Sequence, residues 1–68
     1  MNKVKIDTEY IKLDAFLKWA GIASSGSEAK FHIQDGLVKV NHEICIQRGK
    51  KLKFGDVISF DGSDFEII

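Results

Sequence analysis

Polar and apolar positions alternate at the start of the chain, where Val4 and Ile6 are separated by Lys5 and flanked by Lys3 and Asp7. A period of two places the apolar residues on one face of an extended segment, so a short first strand is expected here. The period then changes. Leu13, Phe16, Leu17 and Ala20 recur three and four residues apart, which lines one side of a helix over 13–20, with Gly21 as its stop. Trp19 lies off that stripe and is expected at the rim of the core or in solvent. A second helix is expected over 26–35, with Ala29 and Ile33 inward and His32 beside them, partly buried with one hydrogen bond. Ser25 is placed as its N-cap, and Glu28, three residues on, completes a capping box. Gly36 stands where a helix end favours a residue that tolerates positive φ.

Beyond Gly36 the pattern returns to strands. One is expected over 37–40 on Leu37, Val38 and Val40, and another over 43–46, joined by Asn41-His42. A two-residue type I′ turn needs positive φ at both positions, and Asn and His tolerate that region better than most residues with a side chain. Arg48-Gly49-Lys50-Lys51 reads as a basic loop. A turn at Gly55-Asp56 precedes a strand carrying Val57, Ile58 and Phe60, and Asp61-Gly62-Ser63 forms a second hairpin turn, after which Phe65, Ile67 and Ile68 pair back. Two adjacent helices followed by strands is an α+β pattern rather than an alternating βαβ one. The expected architecture is two adjacent helices packed on a small, mostly antiparallel sheet of about four to five strands.

A chain of 68 residues implies one domain, 1–68. A domain of this size buries only ~60% of its unfolded surface, which leaves no room for a deep catalytic cleft beside a core. No apolar run approaches the ~18 residues of a membrane-spanning helix. The opening MNKVKID lacks the apolar region of a signal peptide. A cytoplasmic protein with no membrane partner is expected. Cys45 is the only cysteine, so neither an internal disulfide nor a cysteine zinc cluster can form.

The net charge is zero, but the charges are segregated. Residues 1–53 hold all ten Lys and Arg against six Asp and Glu, a net of +4, whereas 54–68 hold Asp56, Asp61, Asp64 and Glu66 and no base. Within 39–53, Lys39, Arg48, Lys50, Lys51 and Lys53 face Glu43 alone. Such asymmetry leaves a basic face on a neutral protein, although a run of this kind is often only a solvated loop.

Enzymatic chemistry finds little support. Cys45 sits between Ile44 and Ile46 with no neighbouring charge pattern that would lower a thiol pKa. A lone cysteine usually behaves as a small hydrophobe. His32 and His42, ten residues apart, match no zinc spacing. Asp61, Asp64 and Glu66 cluster at a hairpin turn, where acidic side chains ordinarily bond the local backbone. Neither a phosphate-binding P-loop nor a dinucleotide fingerprint occurs. No catalytic residue, metal, cofactor or small-molecule substrate is expected. The start of the second helix is different. Ser24, Ser25 and Ser27 offer hydroxyls, Gly26 admits close approach of a phosphate, and Lys30 lies one turn on. N–H groups, hydroxyls and Lys or Arg heads are what hold nucleic-acid phosphates. Capping alone accounts for Ser25 and Glu28 but not for Gly26, where a better helix former is expected.

Leu13-Asp14-x-Phe16-Leu17, Gly21-Ile22-Ala23-Ser24-Ser25, Glu28-Ala29-Lys30, Ile33, Gly36, Val38-x-Val40-Asn41 and Gly55-Asp56-Val57-Ile58 together resemble the S4 RNA-binding domain over 11–60. Ser25 to Lys30 and Arg48-Gly49-Lys50-Lys51-Leu52 resemble a stand-alone bacterial subgroup of that family. The resemblance implies an αL RNA-binding motif contacting RNA backbone through Ser25, Gly26, Ser27, Lys30, Lys39, Asn41, Arg48, Lys50 and Lys51, and places these bases along one face. Two departures stand out. Many members carry Ser-Arg where this chain has Ser25-Gly26, and the usual Val-Asn-Gly turn is Val40-Asn41-His42 here, so His42 strains the turn or meets RNA itself.

The expected function is non-catalytic binding of structured RNA, ribosomal or transfer RNA, in association with a ribosomal subunit. A protein–protein adaptor using the basic strip is one alternative. A ubiquitin-like sulfur carrier is another, but the chain ends Phe65-Glu66-Ile67-Ile68 and lacks the reacting Gly-Gly. A piece of a regulatory enzyme is the third, and against it stands the expectation that a chain opening on Met1 is whole.

Overall fold

Each helix is stopped by a glycine in the left-handed region. In the computed structural model, which describes residues 1–68, α1 spans Leu13–Trp19 and α2 spans Gly26–Gln34. After α1, Gly21 sits at φ +77. Its N–H donates to the Lys18 carbonyl at 3.1 Å, and the Ile22 N–H donates to Leu17 at 2.9 Å. After α2, Gly36 sits at φ +75, its N–H donates to Ile33 and that of Leu37 to His32, both at 3.1 Å. This pair of reversed bonds satisfies the last carbonyls of each helix and needs a residue free of the Cβ penalty at positive φ. The helix starts differ. The Ser25 hydroxyl accepts the Glu28 N–H at 3.1 Å, as the capping pattern predicts. Lys12 gives α1 no side-chain cap. Instead the N–H groups of Leu13 and Asp14 donate to the carbonyls of Lys50 (2.8 Å) and Arg48 (3.1 Å). The basic loop therefore caps α1 with its backbone, a contact no local signal announces.

Seven strands complete the chain: β1 (Asn2–Val4), β2 (Ile11–Lys12), β3 (Val38–Val40), β4 (Glu43–Ile44), β5 (Lys51–Leu52), β6 (Val57–Phe60) and β7 (Ser63–Ile67). Five form a sheet in the order β1-β7-β6-β3-β4, antiparallel except for the parallel β1–β7 pair. The α+β architecture with a mostly antiparallel sheet is as expected. The other two, β2 and β5, form a separate antiparallel ribbon with Ile11 opposite Leu52 and Lys12 opposite Lys51. Both hairpins turn through two residues at positive φ, Asn41 (51°) with His42 (72°) and Asp61 (53°) with Gly62 (80°), matching the twist that type I′ turns require.

The core draws Leu13, Phe16 and Leu17 from α1, Ala29 and Ile33 from α2, Val38, Val40, Ile58 and Ile67 from the sheet, and Leu52 from the ribbon. Alternation along β3 therefore turns Lys39, between two buried valines, to the face away from the helices.

Several boundaries differ from expectation. The first strand ends at Val4, and Ile6 is buried beyond it, its N–H bonded to the Ile68 carbonyl at 3.1 Å. The strand expected over 43–46 stops at Ile44, so Cys45 lies outside it, its Sγ 3.8 Å from the Gln47 carbonyl. Lys51 belongs to a strand rather than to the basic loop. Trp19 is exposed, with its indole N–H donating to the Lys5 carbonyl at 2.9 Å. No helix is long and apolar enough to cross a membrane.

Candidate nucleic-acid interface

The β2–β5 ribbon sets two lysines directly opposite one another, Lys12 and Lys51. Like charges in cross-strand register destabilise a sheet, so folding alone does not favour this pair. The loop before β5 adds Arg48 and Lys50, tied down through their carbonyls at the start of α1, and Lys53 follows β5. All five side chains belong to exposed residues and none forms an ion pair; the only pairs are Lys3–Glu66 at 3.9 Å and Glu28–His32 at 3.5 Å. Lys50, Lys51 and Lys53 share a concavity with Glu9, Tyr10, Asn41 and Asp56. The Lys51 ammonium lies 4.9 Å from the centre of the Tyr10 ring.

Asn41 is committed to the fold. Its amide oxygen accepts the Val57 N–H at 2.9 Å, its amide nitrogen donates to Asp56 at 3.2 Å, and its own N–H donates to the Val57 carbonyl at 2.7 Å. The other Asp56 oxygen accepts the Lys53 N–H at 2.9 Å. This bracket ties the β3–β4 turn to the start of β6 and fixes where Lys53 leaves β5. A turn at positive φ suits Asn, and the same residue lines the lysine concavity.

At the start of α2, two of the three serine hydroxyls are occupied. That of Ser24 donates to Glu28 Oε2 at 2.9 Å and that of Ser25 caps the helix. The Ser24 hydroxyl is the chief reason that the Glu28 carboxyl is held below the ordinary glutamate range; the Ser24 backbone and His32 act in the same direction, and partial desolvation opposes them. A carboxylate thus already sits at the positive end of α2. The N–H groups of Gly26 and Ser27 have no partner within the helix. Gly26 has open space where a Cβ would project, and Lys30 is exposed and free of ion pairs. His32 is partly buried against Phe60, with ring centres 4.7 Å apart; Nε2 faces Glu28, and Nδ1 is buried without a partner.

The bases do not all share a face. Lys39 and His42 line a different concavity from Lys50 and Lys51, together with Asp61 and Asp64. Across the strands the register runs Lys39, Ser59, Asp64, and the Ser59 hydroxyl donates to Asp64 at 2.6 Å. Acidic residues of the C-terminal segment therefore stand beside Lys39, which corrects the expectation of a single strip. His42 occupies its left-handed position in a regular turn. The sequence alone does not single out Lys12 or Tyr10, and it marks Lys53 by its charge but not as a contact residue. The pairing of residues 12 and 51, remote in sequence, brings them to the interface.

The S4 domain family matches residues 4–68. A Bacillus subtilis (strain 168) protein named as a probable ribosome maturation protein, RlbA, is 41% identical over 68 residues, covering 98% of this chain and 96% of that one. YbcJ of Escherichia coli (strain K12) is 30% identical over 59 residues, covering 87% of this chain and 84% of that one. The solution structure of E. coli YbcJ, described as having an αL motif involved in RNA-binding, aligns with a TM-score of 0.74 at 28% identity, covering all of this chain and 87% of the other.

Proposed function

This chain belongs to the S4 domain family, and from that membership we propose that it is a non-catalytic, cytoplasmic RNA-binding protein. Its interface is the lysine cluster of the ribbon and the adjoining loop. The observation that carries this reading is the set of five unpaired cations, two of them forced into opposition at Lys12 and Lys51. A local rule broken without internal compensation marks a functional surface, and a polyanion supplies what the fold omits. Gly26, Ser27 and Lys30 of α2 form a second contact. Lys39 and His42 are left out, because there two carboxylates, Asp61 and Asp64, border a single lysine, whereas three lysines meet two carboxylates beside the ribbon.

The RNA is structured, ribosomal or transfer RNA, and the site of action is a ribosomal subunit, in keeping with the relative named for ribosome maturation. Duplex RNA hides its base edges in a deep, narrow groove, so shape and backbone lead the recognition. Counterion release makes the binding sensitive to salt. Sedimentation of a cell extract through sucrose tests the assignment. Co-migration with ribosomal subunits at low salt, lost at high salt, is expected. Protein free at every salt concentration and without bound RNA would overturn it.

A further inference from the structure

Resting on the RNA-binding reading above, we propose that the concavity beside Tyr10 seats one unpaired nucleotide, its base stacked on the Tyr10 ring and its phosphate held by Lys50, Lys51 and Lys53. The concavity encloses about 620 Å³, within the ~300–1,000 Å³ typical of small-molecule sites. Its lining combines an aromatic ring, Tyr10, with three lysines, Lys50, Lys51 and Lys53, beside the bracket of Asn41 and Asp56.

Both Asp56 oxygens accept hydrogen bonds, from Asn41 and from the Lys53 N–H, and Glu9 has no ion-pair partner; the three lysines outnumber these two carboxylates. A phosphate is drawn to the lysine ammoniums, which leaves the base to the Tyr10 ring. Tyr10, with Glu9, also lines the neighbouring hollow that holds Ile6, Ile11, Ala15 and Trp19. The Thr8 hydroxyl donates to the Tyr10 carbonyl at 2.8 Å, which ties down the Tyr10 backbone.

The Lys51 ammonium at 4.9 Å is a placeholder on that ring. An exposed cation–π contact is weak and easily exchanged. A nucleotide replaces both halves of it, offering a phosphate to the ammonium and a π-face to the ring. A fully paired helix keeps its bases stacked inside and cannot make the second exchange, so the site favours RNA with a bulge or loop.

The test uses two fluorescein-labelled RNA duplexes of equal length, one fully paired and one with a single bulged 2-aminopurine nucleotide. Wild-type protein is expected to bind the bulged RNA more tightly and to quench the 2-aminopurine emission on binding. Tyr10→Leu should lose the quenching and weaken bulged-RNA binding on the order of tenfold, the scale of one lost base stack, several times more than it weakens binding of the paired duplex. Tyr10→Phe, which keeps the ring, should restore both. Equal affinity for the two RNAs in wild type, or equal weakening of both by Tyr10→Leu, would overturn the nucleotide seat and leave the basic interface standing. Failure of the wild-type protein to bind either RNA would overturn both readings.

Discussion

At Gly26 neither backbone nor packing asks for a glycine: its φ is not in the left-handed region, and a Cβ would project into open space. Gly26→Arg should therefore fold normally. If the α2 start contacts RNA, the added guanidinium should tighten binding several-fold near 0.1 M salt and steepen the salt dependence by roughly 0.7–0.9 in log–log slope, one phosphate's worth. Fluorescence anisotropy across a salt series measures both. Glu28 makes a different prediction. Its carboxyl is held below the ordinary glutamate range by the Ser24 hydroxyl first. A group depressed in this way contributes stability above its unfolded pKa and loses it as pH falls through the folded one. Glu28→Gln should be less stable than wild type at neutral pH. The gap should close as the pH drops below the ordinary glutamate range, followed by thermal unfolding at a series of pH values.

At the level of elements, the interface proposed on the β2–β5 ribbon sets folding against binding. Lys12→Glu turns a like-charge cross-strand pair into an attractive one with Lys51 and places an acid at the start of α1. It should raise stability by about 0.5–1 kcal/mol, read from the urea midpoint, while weakening RNA binding. A purely structural ribbon would gain stability with no loss of binding. The ribbon was also the element hardest to read from sequence. Each strand has two residues, too few for a period, and the pairing of Ile11 with Leu52 spans most of the chain. The cap of α1 by the Arg48 and Lys50 carbonyls is equally non-local. By contrast, the Ser25 cap, the glycine stops at Gly21 and Gly36, and the Asn41-His42 and Asp61-Gly62 turns are written in adjacent residues, because each is decided by local φ and short-range hydrogen bonds. The two turns show why His42 needs no special explanation: its left-handed φ is the one the hairpin demands.

On the scale of the whole molecule, the segregation of charge in the sequence becomes a segregation of surfaces, but along a different line. Charge counting alone grouped Lys39 with Lys50 and Lys51; strand alternation and register separate it, turning it away from the helices and beside Asp64. A neutral protein thereby presents an excess of positive charge at the ribbon and a mixed surface on the outer face of the sheet, the asymmetry that the proposed binding mode uses to orient a polyanion. The salt dependence of binding to an RNA stem–loop tests this most directly. The Lys50, Lys51 and Lys53→Gln triple variant should lower the slope of log K against log salt by about 2 to 3, and Lys39→Gln should leave it at the wild-type value. A triple variant with the wild-type slope, or a Lys39→Gln variant that reduces the slope as much per lysine, would contradict the placement of the interface on the ribbon.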